Sequence, residues 1–281
     1  MRSSCAAVAL SGLLCLSAAP DAWAEEGLWM ADAISGCQVW STDKPQPAEA
    51  VSWAGACMDG KASGWGVLIF WDQQGLGGRY IGEMLAGKLH GNGLLSMRDE
   101  ERGGFLEYNG HFADSKPVGK GFLKLADGTQ FYGELLDGAR HGRGIVLTAD
   151  GWLAKGEFKD GKGVGTLVVD YTAADGERYI GQAANNKRQG FGILTTPEGD
   201  FYAGRFADGL PDGPGLYKGA AGDRFEGEFK GGKPNGFGTS TDAAGNVLQG
   251  HFVDGEPVGT VLVTLPDGTQ SAVDAKIGGA Q

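Results

Sequence analysis

Apolar residues recur two apart around a glycine along most of this chain, with polar residues between them. In nine units the residue two before the glycine is Trp53, Tyr80, Tyr108, Phe131, Ala154, Tyr179, Tyr202, Phe225 or Leu248. The residue two after it is Cys57, Met84, Phe112, Leu135, Phe158, Ala183, Phe206, Phe229 or Phe252. A period of two marks a strand, and it places both columns on the face that the glycine occupies, where the glycine leaves room between two large side chains. The residue directly after the glycine is Glu83, Glu134, Glu157 or Glu228 in four units and His111, Gln182, Arg205 or His251 in four others, so the opposite face of this strand is polar.

A second strand follows in each unit. Its apolar pairs, Val67-Leu68, Leu94-Leu95, Phe122-Leu123, Ile145-Val146, Val168-Val169 and Ile193-Leu194, put hydrophobic side chains on both faces, and this predicts either coiling of the sheet or self-association. Between the strands lie Asp59-Gly60, Ala86-Gly87, Asp137-Gly138, Asp160-Gly161, Asp208-Gly209 and Asp254-Gly255, where glycine accepts the positive φ of a tight turn. Each unit therefore reads as a β-hairpin. Asp127-Gly128, Asp150-Gly151, Asp175-Gly176, Glu198-Gly199 and Asp267-Gly268 reverse the chain between units.

The unit glycine is followed nine residues later by another, from Gly55 and Gly64 to Gly250 and Gly259. Units step by 23 residues, apart from insertions after those of Gly55, Gly82 and Gly156. A fixed period of this length marks a repeat array. The predicted fold is all-β: an elongated, single-layer antiparallel sheet of about nine stacked hairpins, hence about eighteen strands. Its parts are a leader over 1–24, a cap segment over 25–52, the array over 53–265 and a C-terminal cap or tail over 266–281.

The run from Tyr80 to Gly93, Tyr-x-Gly-Glu-x-x-x-Gly-Lys-x-His-Gly-x-Gly, resembles the membrane occupation and recognition nexus (MORN) repeat. The resemblance covers nearly all of Trp53 to Leu265. The units at Gly156 and Gly250 depart from it, with Leu167 and Val261 in place of the last glycine. The resemblance implies hairpin arrays used for protein interaction, self-association or attachment to a membrane surface, and it implies no chemistry. The chain reads as a secreted, bacterial-type member.

The N-terminus adds a compartment. Arg2, the apolar run from Cys5 to Ala19 and the small-x-small Ala22-Trp23-Ala24 read as a signal peptide cleaved after about Ala24, which predicts a periplasmic or secreted protein. Cleavage leaves only Cys37 and Cys57, an even pair in an oxidising compartment, and the two are expected to form a disulfide that anchors the segment from Ser41 to Val51.

Candidate chemistry is sparse. Gly-x-x-x-x-Gly-Lys at Gly55, Gly82, Gly156 and Gly227 imitates a phosphate-binding loop. Ala62, Leu89, Gly163 and Pro234 stand where Ser or Thr is required, and the context is a hairpin, so no nucleotide is expected. His90, His111, His141 and His251 lie two or more units apart wherever they share a column, which argues against a shared metal ion; no cofactor is expected. In 281 residues, 52 of them glycine, the net charge of −11 disfavours nucleic acid and anionic membranes. Trp29, Trp40, Trp53, Trp65 and Trp71 crowd the N-terminal end, either as a capping core or as contact area for a partner. Trp40, Trp53, Trp65, Trp71, Tyr80, Tyr108, Tyr179 and Tyr202 form the candidate binding surface. The functional reading is a non-catalytic binding or scaffold protein whose partner is another protein or a second copy. Attachment to a membrane surface or envelope glycan is the alternative, and an enzyme with a scattered site is third.

Overall fold

The computed structural model describes residues 28–41, 49–99 and 102–275, which contain strands and no helix. Twenty-one strands build an open, mostly antiparallel sheet of stacked hairpins. The count exceeds eighteen because β1 (Leu28–Ala31), β2 (Gln38–Ser41) and a last strand at Gln270–Ala275 flank the hairpins. The chain forms two units, one of described residues up to Val164 and one from Gly165 onward. The Gly156 hairpin straddles that boundary, while the Gly55, Gly82, Gly110 and Gly133 hairpins lie in the first unit and the Gly181, Gly204, Gly227 and Gly250 hairpins in the second.

Register explains the spacing of nine. After β3 (Ala50–Met58) and β4 (Lys61–Asp72), the strands β5 (Gly75–Leu85) and β6 (Lys88–Arg98) pair Gly82 with Gly93, but the next pair is Glu83 with His90. Gly91 and Asn92 are thus extruded as a bulge, and the same slip occurs between His141 and Gly144. The bulge glycine is the second of the nine-residue pair, with φ of +61° at Gly91 and +57° at Gly142, where a side chain is strained. The polar column serves this bulge: Gln182 Oε1 accepts the Phe191 N–H at 2.8 Å, and the Glu83 carboxylate lies over Gly91.

Facing glycines make a floor for an aromatic ring. A methyl group added at Gly93 would overlap the Tyr80 ring, and one at Gly121, Gly192 or Gly215 would overlap Tyr108, Tyr179 or Tyr202. Each ring lies so that its hydroxyl reaches the bulge, where Tyr80 Oη donates to Glu83 O at 2.8 Å and Tyr179 Oη to Gln182 O at 2.7 Å. The unit at Gly250 solves the same space in reverse: Leu248 replaces the aromatic, and Val261 replaces the facing glycine and is buried. Ala154 and Leu167 repeat that exchange in the Gly156 unit.

Neighbouring rings close this face by packing edge to face. In the second unit Tyr179, Phe206, Tyr202, Phe229, Phe225 and Phe252 form an unbroken chain with centroid separations from 4.9 to 5.3 Å. In the first, Phe112 bridges Tyr80 and Tyr108 in the same manner.

The turns carry a second ladder. Asp137 and Gly138 both have positive φ, the two-residue mirror-image turn that suits strand twist. The Gly138 N–H then donates to Pro117 O of the preceding hairpin at 2.9 Å. Ser115 to Leu89 and Gly161 to Arg140 continue this in the first unit; Gly209 to Arg188, Gly232 to Pro211 and Gly255 to Pro234 repeat it in the second.

The N-terminal segment joins that ladder. β1 and β2 form a hairpin, and the backbone N–H groups of Gln38 and Trp40 donate to Gly60 O and Gly87 O, both at 2.8 Å. Cys37 is bonded to Cys57 with Cα atoms 5.9 Å apart, so the expected disulfide is present. The segment therefore lies against the turns of the first two hairpins. Trp29 and Trp40 meet edge to face at 5.3 Å, with Lys61 Nζ 4.4 Å above Trp29 and Lys88 Nζ 5.6 Å above Trp40. The signal-peptide reading and most of the segment from Ser41 to Val51 fall outside the described residues.

Candidate interaction surface

The eight aromatic residues singled out in the sequence do not share one surface. Trp53, Tyr80, Tyr108, Tyr179 and Tyr202 are buried on the closed face, and Trp40 is half-buried against the turns. Only Trp65, 62% exposed, and Trp71, 37% exposed, stand on the open face. Burial pushes the Tyr108 and Tyr202 phenols up to about 12, and those of Tyr80 and Tyr179 higher still.

What the open face presents is an apolar strip across strands. In the first unit Val67, Ile81, Leu94, Asn109, Phe122, Tyr132 and Ile145 are consecutive cross-strand partners. Tyr132 is 62% exposed, and Leu94 and Phe122 are exposed as well. The apolar pairs of the second strands thus divide between faces, since Leu95 and Leu123 are buried. The second unit has a row of its own, Ile180, Ile193, Ala203 and Leu216, which becomes polar at Glu226, Thr239 and Gln249.

Phe191 and Phe237, exposed on the open face of the second unit, were not among the eight; their signal is the position between the two glycines of Gly-x-Gly, which Trp65 also occupies. Phe191 lies 5.7 Å beneath the Arg205 guanidinium, and Phe237 packs edge to face on His251 at 5.6 Å.

Charged groups on the hairpins are used structurally. Arg140 occupies the position of Leu89 and is buried; its Nη2 donates to Gly161 O at 2.6 Å, and its guanidinium lies 5.9 Å above the Phe158 ring. Burial, with Arg102 nearby, brings its pKa down to about 10. His90 and His111 come within 6.4 Å of one another, which the repeat columns did not indicate because they occupy different columns of adjacent hairpins. Among the described residues no group of three or more His, Cys, Asp or Glu side chains is arranged to hold a metal ion.

A known repeat family matches six of these hairpins. MORN repeats are found at residues 80–100, 108–130, 131–152, 179–201, 202–224 and 225–247. The units at Gly55, Gly156 and Gly250 lie outside these matches, and the latter two lack both the aromatic ring and its facing glycine. No curated protein matches the sequence significantly. Among solved structures, the chain is similar to the TCP domain of SAS-4 (dCPAP) from Drosophila melanogaster, determined with a proline-rich motif of Ana2 (dSTIL). Identity is 15% and the TM-score 0.32, over 55% of this chain and 83% of that one.

Proposed function

We propose, on the footing of six MORN repeats, that this chain is a non-catalytic binding or scaffold protein whose partner is another protein. MORN repeats generally serve protein or membrane binding and are generally non-catalytic. The observation that carries the reading is the strip from Val67 to Ile145, a row that is apolar except at Asn109, on the one face that the protein does not close upon itself. Contiguous exposed apolar surface on a folded chain marks interaction sites. The net charge of −11 argues against an anionic membrane as the surface it meets. A photo-reactive residue at Tyr132 tests this in the native setting. It is expected to capture a protein partner, and capture of lipid or glycan alone would overturn it.

Envelope glycan is the second reading, and Trp65 and Trp71 favour it. They stand on the open face of one strand, Trp71 opposite the small Ala50 and Trp65 opposite Glu83. Sedimentation with peptidoglycan separates the two readings. We further place the protein in the periplasm or outside the cell. The Cys37–Cys57 disulfide supports an oxidising compartment. Alkylation of thiols before and after reduction of the cellular protein checks this, since free thiols in the untreated protein would count against export.

A further inference from the structure

The last described strand of the second unit is paired on one side. Gln270–Ala275 pairs with Glu256–Thr264 from Gly259 opposite Ala275 to Thr264 opposite Gln270, and among the described residues it has no other strand partner. Its first five residues are all exposed. Natural edge strands are blunted by proline, by bulges, by charge or by a covering segment. This strand has no proline, and its ladder runs without a register shift. Its face toward the aromatic chain also tapers: Val273 lies opposite Val261 and is 46% exposed, where other units carry buried rings.

Charge is uneven here. Beyond Lys233 the described residues include Asp242, Asp254, Glu256, Asp267 and Asp274 and neither Lys nor Arg; Lys276 lies outside the described residues. Asp274 is on the strand itself, Asp267 is in the turn before it, and Glu256 begins the strand it pairs with. A second copy adding its own Gln270–Ala275 strand would bring these same carboxylates together. An extended segment rich in lysine or arginine would meet them with opposite sign.

We propose that the outer edge of Gln270–Ala275 accepts an added β-strand from a partner protein, supplied by an extended basic segment. This rests on the protein-binding reading above and names a second place where it acts. Backbone hydrogen bonds supply the affinity of such an addition, and alternate side chains and charge supply its specificity.

The test uses the full chain and two synthetic peptides of alternating valine with lysine and of alternating valine with glutamate. Binding is followed by fluorescence anisotropy and by hydrogen exchange. The lysine peptide is expected to bind and to protect amides within 270–275, and to weaken by about tenfold in high salt. Asp274→Lys combined with Glu256→Lys should reduce its binding by a similar factor. Ala272→Pro and Val273→Pro are compared because successive residues of an edge strand face inward and outward in turn, so one of the two removes an outward donor only. That variant should keep the thermal transition and lose the peptide.

Equal binding of both peptides, or binding without protection of 270–275, would overturn the proposal. Protection of these amides by concentration-dependent dimerisation without peptide would assign the edge to a second copy instead. If the edge fails while Tyr132 still captures a protein, the edge proposal alone falls. If the edge binds and Tyr132 captures nothing, the open-face reading falls.

Discussion

Gly93 has no room for a methyl group, because the Tyr80 ring lies flat against it. Gly93→Ala is expected to destabilise the protein by about 2–3 kcal/mol, within the range for overpacking a close-fitted site. The Ala154 and Leu167 pair suggests the remedy. Tyr80→Ala with Gly93→Leu should be more stable than the sum of the single changes by about 1–2 kcal/mol, as measured by a denaturant double-mutant cycle, and strict additivity would refute the packing account. Ala86 presents the opposite case: it holds φ at +49° in a turn where seven other hairpins have Asp or Asn and one has Gly231. Ala86→Asn is expected to raise stability by about 0.5–1 kcal/mol, read as an upward shift in Tm. The buried tyrosines set an alkaline limit. Their folded pKa values lie above the ordinary value, at about 12 for Tyr108 and Tyr202. The unfolded chain therefore loses its phenolic protons first, and stability is whole below about pH 10 and declines as pH rises toward the folded values. A denaturation midpoint that stays flat across this window would contradict that burial.

At the scale of the element, β1 and β2 are tied to the hairpins by two backbone hydrogen bonds at the turns and by one disulfide. Cys37→Ser with Cys57→Ser removes the crosslink across a sequence separation of 20, and about 3 kcal/mol of stability is expected to go with it. Hydrogen exchange should show Gln38 and Trp40 losing protection before the central hairpins do. The hairpins were legible in the sequence because glycines and aromatics recur at fixed spacing, and the disulfide because cleavage of the leader would leave only Cys37 and Cys57. The bulge was not. Gly91 entered the sequence reading only as the second glycine of a repeated pair, and extrusion of two residues is a property of backbone pairing with no side chain to announce it. The aromatic columns gave the correct shared face, but residue type does not say which face closes, so Tyr80 and Tyr108 read equally well as contact area. Tyr132 and Phe122 decide the matter only once register sets them side by side on the open face.

For the molecule as a whole, hairpins stack on their sequence neighbours, so stability should build unit by unit. Deleting residues 202–224 joins two equivalent positions and removes one hairpin from the second unit. The shortened chain is expected to retain its β-sheet circular dichroism and a cooperative, lower Tm, whereas removal of 202–213 should abolish the transition by breaking register. Loss of folding in both deletions would mean that the array is not additive. The hydrogen bonds that run from turn to turn also make the two margins of each unit unequal. A fluorescent domain spliced between Asp208 and Gly209 would sever the bond from Gly209 to Arg188, while one spliced between Ala243 and Ala244 enters a turn whose backbone bonds, Asp242 to Asn246 and Gly245 to Asp242, close upon themselves. The extra residues after the units at Gly55, Gly82 and Gly156 all fall on that second margin. Reporter tags and foreign epitopes therefore have one permissive border on this protein, and the other is closed to them.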